Sequence, residues 1–160
     1  MLAGSHFLIG SSLAVLFSKN YFIAFLLGFV SHHLIDKLPH LDLNIFKKDN
    51  VLFKDKNLKA WLLVIFEFFS FLILTFYLLE KFSLEVQKIA FWGGIGGIFP
   101  DVFILVFKRF AFTRKIFSFY FNFHKNFHFK LKDKNFILPF LVQSTFVILS
   151  FLILANYKGY

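Results

Sequence analysis

The residues of this 160-residue chain best suited to chemistry are histidines and aspartates at close spacing. Between Gly28 and Asp42, His32, His33, Asp36, His40 and Asp42 fall within eleven residues at the end of an apolar run. Imidazole and carboxylate together are the ligand set of a catalytic divalent ion. Ionisable groups at the end of a membrane helix are costly and tend to mark function. Gly28, His32, Asp36 and His40 recur every fourth residue, which predicts one shared helical face. His32 and Asp36 can then bind one ion together, or Asp36 can orient His32 from behind. The spacing does not choose between His32 and His33. Pro39 is expected to end the helix and turn His40 and Asp42 back over the site. The alternative is a polar helix end that only meets lipid headgroups. Three histidines with two aspartates favour chemistry.

Three further places carry the same residue types. Gly93-Gly94-Ile95-Gly96-Gly97-Ile98-Phe99-Pro100-Asp101 lets another helix approach closely. Pro100 is expected to disrupt the helix there and set Asp101 beside a polar cavity, as ligand or as helix cap. His124-Lys125-Asn126-Phe127-His128 has i, i+4 spacing, and the two rings can share an ion if the segment is helical. Lys125 stands where a zinc protease would carry its glutamate base, so protease chemistry is not supplied. His6 lies near the chain start, on one helical face with Gly10. Glu67 sits ~12 Å inside a third apolar segment. It is a candidate catalytic carboxylate with Asp36, with a supporting partner role or a neutral acid as the other readings. Ser5, Ser31 and Ser118 have no nucleophile-elbow setting, and no phosphate loop or dinucleotide fingerprint is present.

Apolar segments must position these groups. The chain is 58% hydrophobic, with a mean hydropathy of +0.70, more than a soluble core of this size would bury. The pattern predicts an all-α integral membrane bundle of one domain, 1–160, with five helices at about 6–17, 21–38, 58–79, 84–107 and 136–156. The first run lacks a basic start and a cleavage site, so it is read as a retained helix. The absence of cysteine removes disulfides, thiolate metal sites and thiol nucleophiles. The 29 phenylalanines, with many lysines and few arginines, fit an AT-rich coding sequence and say little about function.

The net charge of +9 is carried by loops between apolar runs, which favours anionic lipid over nucleic acid. With five spans, the loops around 37–59 and 108–134 share one side and hold most of the basic residues. The other side has only Lys19, Lys81, Lys88 and Lys158. That asymmetry predicts a cytoplasmic amino terminus. Every histidine then falls on the cytoplasmic side. The segment of about 108–135 alternates phenylalanine with lysine, arginine and histidine, and reads as interfacial and partly helical.

The whole pattern resembles the small bacterial inner-membrane proteins identified as metal-dependent hydrolases. The matching elements are Ser5-His6, Leu38-Pro39-His40-Leu41-Asp42, Phe99-Pro100-Asp101 and His124 to His128. His40 stands where that family often has aspartate. Lys125-Asn126 stands where it tends to have Arg-Gly. His32, Asp36, Pro39 and His40 also resemble, more locally, a strip of zinc-dependent phospholipases C. The resemblance implies a bacterial inner-membrane hydrolase.

The sequence thus leads to a divalent-metal hydrolase, with zinc expected and manganese as the alternative. Its ligand pool is His6, His32, Asp36, His40, Asp101, His124 and His128. Its partners are membrane lipids and anionic headgroups. A cation transporter or sensor, and a non-enzymatic lipid-binding protein, are the competing readings.

Overall fold

Seven helices and no strand make up the described residues, 3–40, 58–129 and 137–158 of a computed structural model. They are α1 (Ala3–Phe17), α2 (Tyr21–Asp36), α3 (Leu58–Leu79), α4 (Leu84–Phe107), α5 (Ala111–Ile116), α6 (Ser118–Phe127) and α7 (Ile137–Asn156). Asn20 starts α2 by accepting the Phe22 and Ile23 amides at 2.8 and 3.2 Å. Ser83 caps α4 by accepting the Val86 amide. These side chains satisfy amides that have no partner inside their own helix.

The centre of the fold is the junction of α1, α2 and α4, which all touch one another; α3 and α7 pack on α1. Glycine makes this junction. A Cβ on Gly10 or Gly28 would collide with the Gly93 carbonyl, and one on Gly97 with the His6 carbonyl. The three backbones therefore approach more closely than any other residue would permit. An apolar cluster of Leu8, Val15, Leu78, Leu79, Ala90 and Leu154 fills the bundle towards the far ends of α1 and α3.

The α4 and α7 helices are long and apolar enough to cross a membrane, and α1, α2 and the Val64–Leu79 part of α3 are shorter apolar helices. Large apolar side chains face outward, among them Phe66, Phe69 and Ile73 of α3, Leu105 of α4 and Leu141 of α7. Polar ones, such as Ser5, Ser11, Thr75 and Gln143, are buried.

Two local expectations are corrected and a third is made specific. The first helix begins at Ala3, so His6 lies within its first turns rather than at its edge. Pro100 does not break α4, which runs through it to Phe107. The proline removes only its own amide, and packing against α1 and α2 on both sides outweighs that loss. The interfacial segment forms two short helices, separated at Phe117, whose backbone leaves the helical region (φ −96°, ψ 19°). Residues 130–136, and Asp42, lie outside the described residues.

Candidate metal centre

Asp36 lies in the last turn of α2, almost fully buried, and four imidazoles reach it. His32 Nε2, one turn earlier on the same helix, is 3.2 Å from its Oδ2. His6 Nε2 from α1 is 3.1 Å from Oδ1. Beyond the helix end, His40 Nε2 is 3.7 Å from Oδ1, as the expected turn at Pro39 requires. His128 Nε2, just past α6, is 3.7 Å from Oδ2. Asp101, on α4, forms a second focus: its Oδ1 is 3.7 Å from both His32 Nε2 and His124 Nε2.

All six histidines form one connected set of rings. His6 lies 4.1 Å from His32, His32 5.2 Å from His33 and 5.5 Å from His124. His124 lies 5.7 Å from His128, and His128 4.9 Å from His40, between centroids. The seven residues expected as ligands are thus neighbours in space.

Backbone carbonyls fix the proton on three of these rings. A carbonyl only accepts, so each facing nitrogen must donate. His32 Nδ1 donates to the Gly97 carbonyl at 2.7 Å. His40 Nδ1 donates to Leu38 at 2.8 Å, and His128 Nδ1 to Phe129 at 3.1 Å. In the neutral ring the lone pair then sits on Nε2, and all three Nε2 atoms face Asp36. This is how second partners prepare an imidazole for a cation. His6 differs: its Nε2 donates to Asp36 Oδ1, so in this geometry it orients the carboxylate.

Buried polar atoms normally find partners. Here His32 Nε2, His40 Nε2, both His33 nitrogens and His124 Nδ1 are buried with no hydrogen bond. Their concentration in one place fits a centre able to bind a cation. Three sets of side chains among the described residues can hold one: His32, Asp36, Asp101 and His124; His32, His33 and His124; and Asp36, His40 and His128. His32 and His33, between which the sequence does not choose, both belong to such sets. His124 and His128 do not act as a helical i, i+4 pair. The helix ends at Phe127, His128 is extended (φ −74°, ψ 127°), and the two rings fall into different sets.

The closing segment is held by its backbone. The Phe129 amide donates to the Asp36 carbonyl at 2.7 Å. Lys37 Nζ lies 3.9 Å over the Phe127 ring. Burial holds His40 and His124 at about 4, below the ordinary imidazole value, so both are neutral near pH 7. Access is from the side of Asp101 and His128, whose side chains are 38% and 21% exposed while His32 is sealed.

Glu67 stands behind α1. Its Oε2 accepts the Gly4 amide at 3.0 Å, and its Oε1 accepts the Ser5 amide at 2.9 Å and the Ser5 hydroxyl at 2.8 Å. Gln143 of α7 donates to the same hydroxyl at 3.1 Å. The carboxylate thereby satisfies the first amides of α1 and favours its positive end. Both of its oxygens are engaged next to His6.

Tyr120 was not singled out from the sequence. Its ring stacks on Phe29 and meets His33 edge-on. Its hydroxyl is buried without a hydrogen bond, and burial, with the Asp101 charge, pushes it up to about 12. The signal was present: Tyr120, His124 and His128 recur every fourth residue within a run of phenylalanines.

The chain matches no protein-family model, no curated protein and no solved structure.

Proposed function

We propose that this protein is a membrane-embedded, metal-dependent hydrolase acting on a phosphoester of a lipid or lipid-linked substrate at the cytoplasmic face. The observation that carries the reading is the convergence of His32, His40 and His128 Nε2 on Asp36, each with its Nδ1 proton held by a backbone carbonyl. Histidine and aspartate without cysteine suit zinc, with manganese as the alternative. A bound divalent ion would supply Lewis acidity towards a phosphoryl oxygen and acidify water at neutral pH.

The chain's own residues supply the rest. His32, Asp36, Asp101 and His124 would hold an ion, and His6 orients Asp36. The Tyr120 hydroxyl, protonated at neutral pH, is a hydrogen-bond donor beside the ion-holding residues. The bundle crosses the membrane with α1, α2, α3, α4 and α7, in keeping with its apolar exterior and its buried polar groups. The resemblance to small inner-membrane metal-dependent hydrolases points the same way. Basic residues that directly follow α2 and α4, Lys37, Lys108 and Arg109, would attract an anionic headgroup.

Cation transport is the second reading. It needs a polar path through the bundle, and the apolar cluster around Leu8, Leu79 and Leu154 stands across that path. The test is hydrolysis of short-chain phospholipids and simple phosphoesters by the purified protein, metal-stripped and then reloaded. Turnover that appears only on reloading, and fails with His32→Ala, supports the reading. Equal turnover with and without metal overturns it.

A further inference from the structure

We infer that the centre holds two divalent cations, with the Asp36 carboxylate shared between them. The inference rests on the metal-dependent reading above and deepens it. Six residues, Asp36 among them, offer ligand atoms here, more than one tetrahedral ion accepts. They also divide in space. His32, Asp36, Asp101 and His124 bring ligand atoms within 4.8 Å of one another, and Asp36, His40 and His128 do the same. Asp36 alone belongs to both sets. His40 and His128 do not join Asp101 and His124 in any set among the described residues.

Each set has its own buried nitrogen without a hydrogen bond: His32 Nε2 in the first and His40 Nε2 in the second, with side chains 0% and 1% exposed. One ion in the first set would leave the His40 nitrogen buried and unsatisfied; one in the second would leave His32 so. Either outcome carries a desolvation cost that a second ion removes. His6, donating to Asp36 Oδ1, holds the shared carboxylate in place.

A carboxylate between two ions is the arrangement of enzymes that clamp both the attacking and the leaving oxygen of a phosphoester. The pairing suits the phosphoester substrate of the reading above.

The test is a manganese titration of the full-length, untagged, chelator-treated protein in detergent, read by elemental analysis and by electron paramagnetic resonance. The expected result is about two ions per chain, with the exchange-coupled spectrum of a paired site. His128→Ala, at the more exposed position, should reduce this to about one uncoupled ion while His32 and Asp101 keep the other. One ion per chain in the wild type would overturn the inference and leave the metal-dependent reading standing. Two ions without coupling would overturn the shared carboxylate. No ion would overturn the metal-dependent reading itself.

Discussion

His32 Nδ1 donates to the Gly97 carbonyl at 2.7 Å, which joins the ligand-bearing end of α2 to the glycine-rich turn of α4. One hydrogen bond thus fixes both the position of the ring and the nitrogen that carries its proton. The approach depends on glycine, because a Cβ on Gly97 would press on the His6 carbonyl. Gly97→Ala should destabilise the protein by about 1–3 kcal/mol, the usual cost of forcing a methyl into a packed junction. It should also weaken metal binding, since His6 and His32 are displaced together. Thermal unfolding and metal content of the variant check both effects, and an unchanged metal affinity would separate the glycine from the site.

Glu67 holds the first turn of α1 and, through it, His6. Glu67→Ala leaves the Gly4 and Ser5 amides without their acceptor, at a cost of about 1–3 kcal/mol. Glu67→Gln keeps an acceptor and should recover part of that loss. Activity is expected to follow stability across the two variants. A Glu67→Gln protein with wild-type stability and metal content but no turnover would instead give Glu67 a role in the chemistry.

Tyr120→Phe removes a hydroxyl and keeps the ring against Phe29 and His33. Metal content and fold should be unchanged. Turnover should fall by about ten- to hundred-fold, the worth of one hydrogen bond to a charged group. The loss should appear in kcat rather than in metal affinity. Full activity in this variant would remove the hydroxyl from the account.

The metal-free protein should lose stability in mild acid. His40 and His124 are held at about 4 by burial, whereas an unfolded histidine protonates at about 6.5. Between those values the unfolded chain binds more protons than the folded one. The contribution is therefore complete above about 6.5 and declines as the pH falls towards 4. Bound metal should be released in the same direction, because only neutral imidazole is a ligand. Unfolding midpoints of chelator-treated protein at pH 7.5 and pH 5 test the sign, and equal midpoints would contradict it.

Much of this was legible in the sequence because it depends on local spacing. The long apolar runs gave helix bounds close to those of α3, α4 and α7. The four-residue spacing of His32 and Asp36 placed both on one face, and Pro39 announced the turn that returns His40. What escaped depends on contacts between distant residues. Glu67 reaches the start of α1 across 63 positions. Pro100 looked like a helix end because nothing in its own neighbourhood reveals the two helices that brace α4. His33 could not be separated from His32, since α6 is what brings His124 beside both. The helix break at Phe117 has no glycine or proline to mark it.

The central claim is that these histidines and aspartates hold a divalent metal. The most direct test is elemental analysis of the untagged protein, purified in mild detergent, beside its His32→Ala variant. The account predicts bound zinc or manganese in the wild type and a clear reduction in the variant, with the helical fold retained in both. A folded wild type that takes up no metal, or a variant that retains as much as the wild type, would contradict it.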